Sequence, residues 1–267
     1  MSSDLVDWHR IEVVQFLAAS FQGRDQIGLL EDGQMYANRL PCHIEALTEI
    51  VQRLTIFGPQ AILRTHLPDG PWEPLVTSFG YCIGFIMAVL SRQQLFTEST
   101  ITAVLPVAAE FTWGNVGRMM RLWGIVLVAN LAGTLFAALF CSFTPALPTQ
   151  VHDEMLAISR DLLAFGWWDM VFRAIASGFL MAAMVWLLPG AERTQLHVIA
   201  LVTWLIAVGG FTHIVAGSME AYLLVLAGDW AWWQMLSQFL LPVLIGNMIG
   251  GTALFALLSY AQVMEEI

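Results

Sequence analysis

Five side chains able to carry a proton or a charge stand inside or beside apolar runs of this 267-residue chain: His213, Thr97, Glu98, Arg92 and Arg173. A charge out of water is heavily penalised unless paired, so each is a candidate for binding or proton transfer. A lone histidine in an apolar helix commonly serves as packing. His213, however, follows Gly209-Gly210 and Thr212, which interrupt the run, so it sits where a helix must break. Burial opposes a charge on the imidazole and an arriving anion favours it, so anion binding there would draw a proton onto the ring for transfer to the anion. Thr97 adds a hydroxyl, and a half-helix starting after Thr97 would aim its positive end at the same point. Glu98 works against this, because a carboxylate suits a helix start but repels an anion. We expect it either to be neutralised, through Arg92, Arg173 or a proton, or to serve as an N-cap turned away from the site.

These residues need elements that bring them together, and the chain repeats itself. Ala129-Asn130-Leu131-Ala132-Gly133-Thr134-Leu135-Phe136 is answered by the stretch from Gly246 to Phe255, with a shift of 117 from Asn130 to Asn247. Leu95-Phe96-Thr97 is answered by Gly210-Phe211-Thr212-His213, with a shift of 115 from Phe96 to Phe211. Apolar segments run from Leu75 to Pro106, Leu122 to Phe140, Trp167 to Leu188, Val198 to Ala227 and Phe239 to Tyr260. A helix crosses a bilayer in about 20 residues, so the first and fourth are too long and must be broken, at Leu95 to Ser99 and at Gly209 to Gly217. Broken helices at matching places in two repeats point to a binding site between them. Three spans per repeat invert the second repeat relative to the first. The expected fold is all-α and membrane-embedded, with aquaporin-like inverted repeats.

Composition supports the membrane assignment. Hydrophobic residues make up 58%, charged residues 12%, and the mean hydropathy is +0.69. A soluble domain carries about twice that charge. The 15 charges from Met1 to Glu73 nearly equal the 17 in all the rest, so the apolar body starts near Pro74. We divide the chain into a polar segment 1–43, a first repeat 44–141, an extracytoplasmic loop 142–166, a second repeat 167–261 and a tail 262–267. The first span is the weakest element: Ile44 to Leu63 carries Glu45, Glu49, Arg53 and Pro59, and each charge at a helix centre costs about 2.5–3.5 kcal/mol. We expect a short or poorly inserted helix, broken at Gly58-Pro59.

Arg118, Arg121 and Arg193 share one side with both termini if six spans exist, which places the C-terminus in the cytoplasm. Asp153, Glu154, Asp161 and the Asp229 turn fall on the other side, where Trp167, Trp168, Trp230, Trp232 and Trp233 form an aromatic belt. Arg160 is the one basic residue there.

A net charge of −10 and the lack of a basic patch exclude nucleic acid as a partner. Enzyme chemistry finds no support: His152-Asp153-Glu154 lacks the second histidine of a helical zinc site, Ser177-Gly178 has no base partner, and a phosphate loop is missing. The three cysteines suggest neither a disulfide framework nor a metal site, and we expect no metal and no cofactor. Asn130-x-x-Gly133 and Asn247-x-x-Gly250 set small residues one turn apart; we read both as helix packing, with a pore role for either asparagine second.

Gln94-Leu95-Phe96-Thr97, Gly210-Phe211-Thr212-His213 and the run from Leu241 to Gly251 resemble the formate/nitrite transporter family, in its order and spacing from about Leu63 to Tyr260. The resemblance implies six spans, a homopentamer in the cell inner membrane with one pore per protomer, and passage of a small monovalent anion with a proton. It maps the central histidine to His213 and the threonine of the broken second helix to Thr97. Pore constrictions map to Leu95 and Phe96, with Tyr81, Phe85 and Ile206 as further matches. The chain departs from the family pattern at Thr212 and Gly217 around the histidine, at Gly178 in the fourth span, at Glu98 after the threonine, and in lacking a lysine near the outer mouth. Two rival readings are an aquaporin-like pore for a neutral solute and a non-transporting subunit with a defective first span.

Overall fold

The computed structural model describes residues 58–256, apart from Asp69, Arg92 and Glu192. The chain forms α1 (58–66), α2 (Glu73–Leu90), α3 (Phe96–Ala109), α4 (Trp113–Phe143), α5 (Thr149–Arg160), α6 (Trp167–Leu187), α7 (Gln195–Val208), α8 (Ile214–Ala227) and α9 (Trp232–Phe255). Four of them, α2, α4, α6 and α9, are long and apolar enough to cross a membrane; α7 and α8 are shorter apolar helices.

The two long apolar runs are broken as expected. The pair α2 and α3 forms one broken span, and α7 and α8 form the other. Each is followed by a continuous span, α4 or α9, and α6 precedes the second. With three spans per repeat, an odd number, the second repeat is inverted relative to the first. Most of the expected first span, 44–57, lies outside the described residues, as do the segment 1–43 and the tail 262–267. Residues 58–66 are helical, so Gly58-Pro59 opens the described part of α1.

Local chemistry sets the ends. Thr112 caps α4 by accepting the Asn115 N–H at 3.1 Å. Gly228, with φ of 85°, closes α8 in a left-handed conformation that other residues adopt only with strain. In α9 the backbone loosens to an i→i+5 pattern over Met235–Leu240, just before Pro242. In that pattern the Ser237 carbonyl would look to residue 242, which as proline has no N–H. The indole Nε1 of Trp167 donates to it instead, at 3.2 Å.

The expected loop 142–166 contains α5, which buries Val151, Met155, Ile158 and Ser159 and is fastened at both ends. Arg64 pairs with Glu73 at 2.9 Å and reaches Glu154 at 3.9 Å. Arg160, the basic residue on the acidic side, pairs with Asp229 of the α8–α9 turn at 2.8 Å. Trp167, Trp168, Trp232 and Trp233 are exposed at this end, whereas Trp230 is buried.

Small residues let α9 lie against α6. A Cβ on Gly246 or Gly250 would overlap the backbone of α6 at Val171 or Ile175. Gly178 faces back: its Cβ would fall inside contact distance of the Asn247 carbonyl oxygen and 2.8 Å from Asn247 Cα. This explains why no larger side chain stands at 178. Gly178→Leu is therefore expected to lower thermal stability by about 1–3 kcal/mol or more, the usual cost of overpacking, because the obstacle is backbone. A melting temperature equal to wild type would show that α6 and α9 can separate without cost.

Candidate functional site

The backbone of a break inside an apolar bundle needs partners, and two asparagines supply them. Asn130 of α4 accepts the Phe96 N–H at 3.0 Å and donates to the Gln94 carbonyl at 3.1 Å. Asn247 of α9 accepts the Ile214 N–H at 2.9 Å and donates to the Thr212 carbonyl at 3.3 Å, to Ala174 O at 2.8 Å and to Ser177 Oγ at 2.8 Å. Each asparagine thus clamps the carbonyl just ahead of the N-cap residue of a half-helix and the first amide within that helix. Asn130 is 1% and Asn247 0% exposed, so water cannot substitute. Ser177 closes the second clamp by donating to Thr212 O, and Thr212 Oγ1 donates to Met170 O at 3.0 Å.

These clamps correct the expected breaks. α3 starts at Phe96 and α8 at Ile214, because those are the amides that receive the asparagine oxygens. Thr97 therefore lies within the first turn of α3 rather than ahead of it. The repeat offset at the breaks is 118, from Phe96 to Ile214, not the 115 suggested by the two Phe-Thr pairs. His213 is the counterpart of Leu95: each precedes the first residue of its half-helix.

The two breaks meet through one hydrogen bond. His213 Nε2 lies 2.7 Å from Thr97 Oγ1, with the side chains 2% and 1% exposed. His213 also caps α8, its Nδ1 accepting the Ala216 N–H at 3.2 Å. A backbone amide can only donate, so Nδ1 is the acceptor and the proton of the neutral ring sits on Nε2. Nε2–H then donates to Thr97 Oγ1, and the threonine hydrogen is directed elsewhere. A second ring proton, on Nδ1, would point at the Ala216 N–H, so the cap and the imidazolium exclude each other.

Aromatic rings border this pair. Phe85 of α2 meets the His213 ring edge-on at 5.4 Å, and Tyr81 lies tilted beside Phe85 with centroids 5.0 Å apart. Leu95 is buried ahead of α3, and Ile206 is buried on α7. Phe96 turns to Trp123 of α4, ring centroids 6.3 Å apart. The structure thus joins His213, Thr97, Phe85 and Tyr81, while Phe96 faces the α4 side of the core.

The expected pairing of Glu98 with Arg173 does not form. Arg173 donates to the carbonyls of Gly210 at 2.9 Å and Gly209 at 3.4 Å, and its guanidinium lies 4.0 Å from the Phe165 ring centre. It neutralises the negative end of α7, a demand created by the break that no charge pattern in the sequence announces. Gly210 there has φ of 59°. Arg92, the other expected partner, lies outside the described residues. Glu98 is the third residue of α3, and its Oε1 is buried with no hydrogen-bond partner among the described residues. Those residues hold no group of three or more metal-binding side chains. Sequence reasoning took both asparagines as packing; their recurrence 117 residues apart was the signal that could have identified the clamps.

Comparison with known proteins places this arrangement. Residues 57–261 match the family model described as formate/nitrite transporter. The chain is 43% identical over 208 residues to the inner membrane protein YfdC of Escherichia coli (strain K12), covering 78% of this chain and 67% of that protein. It is 25% identical over 214 residues to the formate channel FocA of Haemophilus influenzae, covering 70% of this chain and 74% of that one. Among solved structures, a pentameric formate channel with formate bound superposes with a TM-score of 0.67 at 18% identity, over 84% of this chain and 98% of the other. The fold is thus the aquaporin-like fold of such channels.

Proposed function

The chain belongs to the formate/nitrite transporter family, and from that membership we propose that it conducts a small monovalent anion, formate-like or nitrite-like, together with a proton. The observation that carries this reading is the buried 2.7 Å hydrogen bond between Thr97 and His213, which joins the two breaks. An anion arriving at the pair receives the threonine hydrogen as a donor, since Nε2–H already occupies that oxygen's acceptor side. Its charge then stabilises a second proton on the imidazole, the Ala216 cap opens, and a proton passes to the anion. The second ring proton is taken up from the side the anion enters and leaves with it as the neutral acid, which crosses the apolar constriction of Leu95, Tyr81, Phe85 and Ile206. One anion and one proton move, and His213 returns unchanged.

The same proposal includes a homopentamer, as in the pentameric formate channel with this fold. It includes a multi-pass place, from the apolar helices, in the inner membrane that the name of the Escherichia coli relative gives for that protein, with the C-terminus cytoplasmic by the distribution of arginines. It treats the protein as a conduit rather than an enzyme, requiring no cofactor or metal. The test is flux of formate and nitrite into proteoliposomes with internal pH recorded at the same time. Anion entry accompanied by internal acidification is expected. Passage of water or glycerol without either anion would replace this reading with a neutral-solute pore, and no flux of any of them would favour a non-transporting subunit.

A further inference from the structure

We infer that Glu98 is a proton-binding residue of the pore, next to the Thr97–His213 pair, and that the proton it holds decides whether an anion can occupy the break. The second half of this inference rests on the anion-channel reading above; the first does not. Glu98 directly follows Thr97, whose hydroxyl meets His213 Nε2 at 2.7 Å. Its Oε1 is sealed from solvent and meets no donor among the described residues, while the residue as a whole is half-buried. A carboxylate so placed keeps its charge only if something replaces the water it has lost.

The elements around α3 do not supply that replacement. On α6, Arg173 is occupied by the carbonyls of Gly209 and Gly210 and by the Phe165 ring. Asp169, one turn before Arg173 on the same helix, accepts the Gly166 N–H at 3.1 Å. On α4, Arg118 donates to Asn115, and Arg121 is exposed near the helix start. The titratable groups of α8 are Glu220 and Tyr222, neither of them a cation, and α9 carries no charged residue from Trp232 to Phe255. Among the described residues no ion pair includes Glu98.

A proton on the carboxyl removes the charge and turns the group into a donor. In that state an anion at Thr97 and His213 meets hydroxyl, imidazole and carboxylic acid. In the ionised state it meets a negative charge that low-dielectric surroundings screen poorly. The exchange moves one proton between the carboxyl and water and leaves every other bond intact. Anion passage is then favoured on the acidic side of the Glu98 titration and suppressed on its basic side.

The test uses the full chain in liposomes with two readouts. Infrared spectroscopy follows the carbonyl band of protonated carboxylic acid as pH is raised, and formate flux is measured over the same range. In the wild type a protonated-acid band component belonging to Glu98 is expected, fading as the carboxyl ionises. E98Q should remove that component, E98D should shift it, and E220Q should leave it in place. Formate flux should fall about tenfold or more as the band fades, whereas E98Q should hold its flux within about twofold across the range. E98D keeps the proposal testable if E98Q fails to assemble. A protonated-acid band unchanged in E98Q and E98D would overturn the proton site. Loss of the band with a wild-type flux profile would overturn the control of anion entry. If the wild type moved neither formate nor nitrite while E98Q still removed the band, the anion-channel reading would fall and the proton site would stand.

Discussion

His213→Phe is expected to abolish proton-coupled anion flux while leaving the protein assembled. Phenylalanine fills much of the imidazole volume and keeps an edge contact with Phe85, which lies 5.4 Å from the histidine ring. It loses the bond to Thr97 and the cap on Ala216. Loss of an N-cap costs about 1 kcal/mol, too little to unfold a bundle of this size. The proton-transfer loss is much larger: a positioned acid or base contributes about a hundredfold or more. Formate uptake with internal pH recording should therefore show anion flux down by about two orders of magnitude and no coupled acidification. His213→Asn, which restores a capping oxygen, is expected to recover the melting temperature. Wild-type flux and pH dependence in the phenylalanine variant would reduce His213 to a capping and packing residue.

Asn247→Leu is expected to prevent stable assembly. The side chain accepts the Ile214 amide and donates toward Ala174 O, Ser177 Oγ and Thr212 O, all in a dry interior. Leucine leaves the buried Ile214 amide unpaired, worth about 1–3 kcal/mol against a typical total stability of about 5–15 kcal/mol, and strips one donor each from Ala174 O and Thr212 O, which keep Ser177. Asn130→Leu removes the bonds to the Phe96 N–H and the Gln94 carbonyl and should destabilise as well. Size-exclusion profiles and thermal unfolding in detergent should place both variants below wild type. Equal melting temperatures for all three would mean that the breaks find other partners and that the asparagines merely fill space.

The residues that were legible in the sequence are those whose signals are local. Glycines and polar residues interrupting apolar runs longer than one span gave the two broken helices, and Asn247-x-x-Gly250 announced close packing. The exact starts of α3 and α8 were not legible, because they depend on amides receiving oxygens from residues 33 or 34 positions away. The repeated Phe-Thr pair misled the register: Phe96 opens a helix, whereas Phe211 lies within the break. Arg173 looked like a partner for Glu98 because both interrupt apolar runs. Its actual partners are carbonyl oxygens, which every residue carries and no sequence distinguishes. His213 and Thr97 were legible as a pair because each stands at the break of its own repeat.

The clamps also order the birth of the molecule. The Phe96 amide waits for Asn130, 34 residues later, and the Ile214 amide waits for Asn247, 33 residues later. At a synthesis rate of about 5–20 residues per second, each exposed break lasts roughly two to seven seconds after leaving the ribosome. Each is closed by the span that follows it, within its own half of the chain. The contact between Thr97 and His213 crosses 116 residues and belongs to neither half. A nascent chain halted between the halves thus has a closed backbone and only one member of the proton pair, so the translation product becomes chemically competent only after both halves can already rest in lipid.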